Sequence, residues 1–444
     1  MRQPRYKAVV DAYAAAIRDG RLAPGTRLPT HRELAARHGI ALATATRVYA
    51  ELAAAGLVVG EPGRGTFVRD QSGFGGLEPR RLPRTARRVD LSFSQPLSAE
   101  QPDELRAALR RLAGAGNLEA LLTQHPPGGR ESDRAVVATA LLDRGIDVPP
   151  DNVLLTSGAQ HGVDVAVRTL AGPGGVVAAD ALTYPGLKLA ATTGGVEVCP
   201  VACCADGTDL DALEALCRTR RIAAIYAMPT VHNPLGFVLD AAARHRLVDI
   251  ARRHDCALIE DATYAFLVPE AGPTLYSLAP ERTWYIGSLS KNLATGLRFG
   301  YLVVPTGQRA AAVRTLRAAG WSVAGIVTAL AVGWLADGTV ARLEKQRRDD
   351  AAQRQRIARK ALCGFAYTAH PRSWFGWLEL PDGLRNDAAA RLLAERGVLV
   401  STADAFAVAP HPPNALRLSL ATPPPADLPG VLETVRDVLV LAGP

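Results

Sequence analysis

At 444 residues the chain is too long for one small core, and 48% hydrophobic with 21% charged residues is the composition of an ordinary soluble protein of two or three domains. Nothing approaches an apolar run of about 18 residues, and MRQPRYKAVVDAY lacks a signal peptide's apolar core, so a cytoplasmic protein with no membrane role is expected. The six cysteines show neither C-x-x-C nor Cys/His ligand spacing, which predicts reduced thiols and no metal site.

The net charge of +8 is confined to the front of the chain: residues 1–90 hold 16 Lys and Arg against 8 Asp and Glu, leaving 35 of each for the rest. Such a segment either meets phosphate backbones or is a basic solubilising tail. Periodicity separates the two. Val9, Val10, Tyr13, Ala14 and Ile17 recur at helical spacing from Tyr6 to Arg18. Thr30 and Glu33 form a capping box at the start of a second helix that runs to about His38, before Gly39. A third helix ends near Ala55, with Ala45, Val48 and Leu52 inward and Thr44, Thr46, Arg47 and Glu51 outward. LVVGEPGRGTFV then supplies two short β-runs around a Gly/Pro turn. Three helices and a hairpin predict a winged helix-turn-helix whose third helix enters a major groove.

The stretch APGTRLPTHRELAARHGIALATATRVYAELAAAGLVVGEPGRGTFV resembles the DNA-binding domain of GntR-type bacterial regulators. That resemblance implies that Arg32, Thr44, Arg47, Arg64 and Gly65 face double-stranded DNA. One departure is Ala41-Leu42, where the family commonly begins its recognition helix with Ser-Arg. Base readout would then either differ from the family average or lean more on Arg47 and the wing arginine. Residues 71–90, rich in Gly, Pro and Arg without a sustained period, read as a basic flexible linker between a domain at 1–70 and one at 91–444.

From Asn152 onward β-rich runs alternate with helical ones: NVLLTSG, GVVAAD, VEVCPV, AAIYAMP, ALIEDAT, TWYIGSLS and FGYLVVP. Alternation of this kind predicts an α/β domain with a mainly parallel sheet, whose functional residues gather at the carboxyl ends of strands. Candidates stand at those ends: Ser157, Gly158, Ala159 and Gln160 at a helix start suited to phosphate, Tyr184, Asn233, Asp261, Tyr264, Ser288, Ser290, Lys291 and Arg298. Each alone is more often structural. Together, a carboxylate, hydrogen-bond donors, an aromatic plate, a phosphate cup and an amine are the parts that pyridoxal phosphate chemistry requires.

Residues 91–444 resemble fold-type I, aspartate-aminotransferase-like proteins through N-P-x-G at Asn233, D-x-x-Y at Asp261 and S-x-S-K ending at Lys291, with Arg298 seven residues on. The resemblance implies a large domain with a mainly parallel sheet and a small α+β domain. It assigns Lys291 the Schiff base with pyridoxal 5'-phosphate, Asp261 the pyridine nitrogen, and Asn233 and Tyr264 the ring oxygen. Tyr184 would stack on the ring. Backbone groups of Ser157, Ala159 or Gln160, with Ser288 and Arg298, would bind the phosphate. Arg417 in ALRLSL would take a ligand carboxylate, alone and apart from the ring contacts. A departure occurs at Gln124, where these proteins often carry a Tyr that reaches the partner subunit's phosphate.

The combination of a GntR reader and an aminotransferase-like domain resembles MocR-type transcription regulators over essentially the whole chain. It implies a homodimer that binds an operator and senses an amino acid, an amine or pyridoxal phosphate itself. The alternative is a working aminotransferase with an accessory DNA-binding domain.

Overall fold

Thr30 starts its helix as the capping box requires, in a computed structural model that describes residues 5–23, 25–61, 65–69, 88–96, 100–115, 118–409 and 412–442. The front unit consists of α1 (Arg5–Arg18), α2 (His31–His38), α3 (Leu42–Ala54) and an antiparallel hairpin of β1 (Val58–Glu61) and β2 (Gly65–Val68). Glu33 N–H donates to Thr30 Oγ1 at 3.3 Å while Thr30 N–H donates to the Glu33 carboxylate at 2.8 Å, so two end amides of α2 are satisfied reciprocally. Gly39 closes the helix in the left-handed region. Val9, Ile17, Leu34, Val48 and Leu52 converge on one core, Leu34 and Leu52 with no exposed surface. At ~1.5–3 kcal/mol for each large buried side chain, this cluster is what holds three short helices in place.

The large domain is built on seven strands: β3 (Val153–Thr156), β4 (Val176–Asp180), β5 (Glu197–Val201), β6 (Ala224–Ala227), β7 (Ala257–Asp261), β8 (Thr283–Ser288) and β9 (Gly300–Val303). Their spatial order is β3-β9-β8-β7-β6-β4-β5. All neighbours run parallel except β9, which is antiparallel to both β8 and β3. Reversal of β9 brings its first residues to the edge where the other strands end. Fully buried runs such as AIYA and TWYIGS reflect helices on both faces of the sheet. Among those helices are α4 (Ala159–Leu170) and α5 (Pro185–Gly194), which follow β3 and β4.

A second, four-stranded antiparallel sheet has the order β10-β11-β13-β12, from β10 (Tyr367–Thr368), β11 (Phe375–Glu379), β12 (Ser401–Thr402) and β13 (Ala415–Ser419). The helix α6 (Asn386–Glu395) packs against it. This is the small domain of the fold. Of the stretch expected to be a linker, residues 71–87 lie outside the described residues, and its end departs from a tether. Val89–Asp90 forms a short strand parallel to Val398–Leu399, because the apolar Val89 packs into the small-domain core. No single helix among the described residues is long and apolar enough to cross a membrane.

Candidate functional sites

The carboxyl edge of the large sheet gathers ten of the twelve residues expected around a phosphorylated ring into the wall of one cavity, which Met228 and Thr263 also line. The end of the cavity expected to take a phosphate is the start of α4. There Gly158 adopts φ 84, and a Cβ at that position would lie 3.0–3.4 Å from the Arg298 guanidinium. Only glycine leaves room for that approach. Gly300, at the start of β9, is equally constrained: a Cβ there would meet the Gly158 backbone at 2.7 Å. Two glycines thus let β9 press Arg298 onto the cup. Arg298 itself holds φ 52, a conformation that costs a non-glycine residue ~1–3 kcal/mol and is kept by its surroundings.

Ser157 departs from the expected role. Its N–H donates to His161 Nδ1 at 3.1 Å and its carbonyl accepts from Arg298 Nη2 at 3.4 Å, because the chain turns before the helix begins. Gly158 N–H likewise returns to Thr156 O at 2.8 Å. The cup therefore rests on Ala159 and Gln160, whose first-turn amides have no intrahelical acceptor. Opposite them Ser288 Oγ donates to Phe299 O at 3.1 Å and accepts from Ser290 N–H at 3.0 Å, tying the loop of Lys291 to the start of β9. Ser290 Oγ is buried without a hydrogen-bond partner among the described residues. A buried hydroxyl left open beside a guanidinium and a helix start fits a phosphate.

Deeper in the cavity, Asp261 ends β7 with both carboxylate oxygens engaged. Oδ1 accepts from Thr263 N–H at 3.0 Å and Thr263 Oγ1 at 2.6 Å, and Oδ2 accepts from Tyr226 OH at 2.7 Å. Burial pushes the Asp261 carboxyl up, while these three donors pull it back. Sequence reasoning missed Tyr226 and Thr263. Thr263 was within reach, two residues beyond the aspartate; Tyr226 belongs to β6 and meets Asp261 only through strand order.

Lys291 is held by a neighbour far away in sequence, its Nζ donating to Ser94 O at 2.8 Å. Burial, reinforced by Arg417 and Arg298, lowers its ammonium to about 7 from the usual lysine range. The shift favours the neutral amine, the form that attacks a carbonyl. Arg417, on β13, is 4% exposed, and its Nη2 donates to Ser92 O. Its Nε has no partner, and the Phe375 and Phe406 rings lie 5.5 and 5.3 Å from its centre. The expectation that Arg417 stands apart from the ring contacts is corrected: Nη1 donates to Asn233 Oδ1 at 3.4 Å, because β13 brings the small domain over the loop after β6. Tyr184, at the start of α5, forms the wall shared by this cavity and an adjoining one of about 380 Å³. Burial raises its phenol and that of Tyr264.

Ser92 and Ser94 carried no signal in the sequence. Their carbonyls nevertheless hold Lys291 and Arg417, and Ser94 Oγ bonds Ser419 Oγ at 2.8 Å. The segment 88–96, which follows the basic stretch, is thereby woven into the site.

In the front unit Arg32, Arg47 and Thr46 are exposed and Thr44 is half-buried, on the side of α2 and α3 away from the core. Arg47 pairs with Glu51 at 3.5 Å and lies 4.5 Å over the Tyr6 ring. Arg64 lies outside the described residues. Gly65 adopts φ 123, and a Cβ there would meet Arg27 Nε at 3.0 Å, which places a further cation beside the wing. The hairpin also touches the small domain. The Arg385 guanidinium sits 3.8 Å over the Phe67 ring, and the Asp387 carboxylate abuts Gly25.

Residues 87–435 match the aminotransferase class I and II family, and residues 5–68 match the bacterial regulatory proteins of the gntR family. The chain is 31% identical to the HTH-type transcriptional regulator TauR of Rhodobacter capsulatus, covering 95% of this chain and 93% of that one. It is 27% identical to the uncharacterized HTH-type transcriptional regulator YdeF of Bacillus subtilis, covering 95% and 91%. Among solved structures, LysN, the alpha-aminoadipate aminotransferase of Thermus thermophilus complexed with N-(5'-phosphopyridoxyl)-L-leucine, superposes with a TM-score of 0.73 at 27% identity, covering 80% of this chain and 92% of that one.

Proposed function

The chain belongs to the aminotransferase class I and II family and carries a gntR-family DNA-binding domain at its front, and from that premise we propose that it is a pyridoxal-phosphate-dependent transcription regulator of the MocR type. Capture of an amino acid or amine in the Lys291 pocket sets how tightly the reader holds double-stranded DNA. When bound, pyridoxal phosphate supplies an aldehyde for condensation with an amine and a ring that draws electron density.

The residues present fit that group. Lys291 Nζ offers the amine, largely neutral once its proton is shed near pH 7. Asp261, held by Thr263 and Tyr226, would keep a proton on a ring nitrogen, while Asn233 and Tyr264 would face the ring oxygen and Tyr184 its plane. Ala159 and Gln160 amides, Ser288, Ser290 and Arg298 would bind the phosphate, and Arg417 the effector's carboxylate. Arg32, Thr44, Arg47, Arg64 and Gly65 would meet DNA.

One observation carries the regulatory reading. To engage the cofactor Lys291 must release Ser94 O, and an effector carboxylate on Arg417 would share the guanidinium whose Nη2 holds Ser92 O; both carbonyls belong to the segment that follows the reader in the chain. Loading the pocket thus acts on the reader's own connection. Dimerisation, which would pair two readers on two half-sites, is supported by exposed Leu105 and Leu109 one helical turn apart and by Leu122 at 89% exposure.

Cofactor-loaded protein titrated with amino acids, amines and pyridoxal phosphate, with absorbance and operator binding followed on the same sample, tests the reading. An effector that changes both supports it. A spectral change with steady release of the keto product and constant DNA affinity would instead favour the aminotransferase alternative, for which the intact Lys291, Asp261 and Arg417 speak.

A further inference from the structure

The cavity of about 380 Å³ beside the Lys291 pocket has the size of a small-molecule site and a one-sided chemistry. It shares Gln160, Tyr184 and Asn233 with the Lys291 cavity, so a ligand amine directed at Lys291 would extend into it. Arg417 is its single charged lining group, 4% exposed and with Nε unpartnered. The rest of the wall is uncharged, with an apolar side of Phe93, Pro185, Leu189 and Phe406 facing a few neutral polar groups.

Three neutral polar groups of this wall are already committed inside the protein. Gln160 Nε2 donates to Gly186 O at 2.9 Å, Ser94 Oγ is paired with Ser419 Oγ, and Asn233 Oδ1 accepts from Arg417. Lys188, on the same helix as Leu189, spends its ammonium on the carbonyls of Asp404 and Ala405 at 3.1 and 3.0 Å. A second ligand charge would therefore leave water without finding a counter-ion on this wall, which is unfavourable. An alkyl chain, in contrast, would cover Leu189, a leucine that is otherwise 39% exposed at the mouth.

Resting on the amine-sensing reading above, we propose that the effector is a monocarboxylic amino acid with an apolar side chain, its carboxylate on Arg417 and its side chain against the Phe93, Leu189 and Phe406 wall. Dicarboxylic amino acids, amino acids with a cationic side chain and amines lacking a carboxylate bind less well. Each methylene buried on this wall tightens binding about fourfold.

The test is an absorbance titration of the cofactor-loaded full-length protein with four matched probes. These are norleucine, lysine (norleucine with a terminal ammonium), 2-aminoadipate (a terminal carboxylate) and pentylamine (norleucine without its carboxylate). Norleucine is expected to bind at least about tenfold more tightly than each of the other three. Leu189→Lys, a change at a partly exposed position that the fold tolerates, is expected to narrow or invert the norleucine to 2-aminoadipate ratio. Lysine or 2-aminoadipate binding as tightly as norleucine would overturn the proposal. So would an unchanged ratio in the Leu189 variant. Absence of any spectral response to all four probes, with the cofactor's own band in place, would overturn both the proposal and the sensing reading beneath it.

Discussion

Lys291 and Arg417 are buried cations whose surroundings work against their charge. Burial, then Arg417 and Arg298, brings the Lys291 ammonium down to about 7, so the neutral nucleophile accumulates as pH rises through that value. Capture of pyridoxal phosphate by the apoprotein should therefore accelerate as pH passes through about 7 and level off above it, read by stopped-flow absorbance. A rate still climbing toward the ordinary lysine range would contradict this environment. The sign for stability is the same: with a folded value below the unfolded one, the folded chain binds fewer protons above pH 7, so this group favours the folded state increasingly as pH rises from about 7 toward its unfolded value. Arg417→Ala removes a guanidinium that Asn233 and Ser92 both use, so the cofactor band should persist with a small displacement. Effector affinity should drop more than tenfold, since losing one partner of a desolvated charge pair costs ~2–5 kcal/mol. An effector response of wild-type strength in DNA binding would remove Arg417 from the sensing role.

The recognition helix α3 shows how an element records its sequence. Its N-cap, Ala41, has the extended backbone of a capping residue at φ −66 and ψ 152 but no side chain to accept an amide. Ala41→Ser should add that bond and stabilise the reader by about 1 kcal/mol, visible as a higher melting temperature of the front unit's transition. A lower temperature would mean that Ala41 is there for packing. On the outward face, Arg47 is tied loosely to Glu51 and Tyr6, both of which it can leave for DNA. Arg47→Ala should weaken operator binding by ~1–3 kcal/mol if the residue reads a base, or lower the salt slope by about one unit if it meets phosphate. Unchanged operator affinity would show that this face of α3 does not enter the groove. In both changes the cofactor band should stay as it is, because both residues are exposed on a unit that has its own core.

Across the whole molecule, the pocket and the reader are joined by contacts on the small domain. Phe406 lines the effector cavity and directly follows Asp404–Ala405, and Asp404 Oδ2 accepts from Asn386 Nδ2 at 2.8 Å. Asn386 begins α6 between Arg385, stacked on Phe67, and Asp387, which abuts Gly25. An effector that moves Phe406 thus acts on the surface where the hairpin rests. Arg385→Ala should leave effector affinity and the cofactor spectrum intact while reducing the effector-induced change in DNA affinity, measured by fluorescence anisotropy with and without effector. Full coupling in the variant would mean that the signal travels through the 92–94 segment alone.

Much of this architecture is written locally and could be read before folding. The Thr30–Glu33 capping box, the inward row Ala45, Val48 and Leu52, and the strand runs ending at Asp261 and Ser288 each depend on residues a few positions apart, where periodicity and capping act. The expectation of a phosphate cup at Ala159 and Gln160, a lysine loop and Arg298 rests on the same kind of signal, since each follows a strand end. No local pattern showed that the Ser157 amide is claimed by a side chain one turn ahead, His161. What only the tertiary structure decided are encounters between distant segments. Tyr226 reaches Asp261 because β6 and β7 are neighbours in the sheet, Arg417 reaches Asn233 because the small domain folds over the large one, and Ser92 and Ser94 hold Arg417 and Lys291 because the chain after the basic stretch crosses the pocket. No local pattern encodes those contacts, for burial selects them only once strand order and domain closure have excluded water from the space they share.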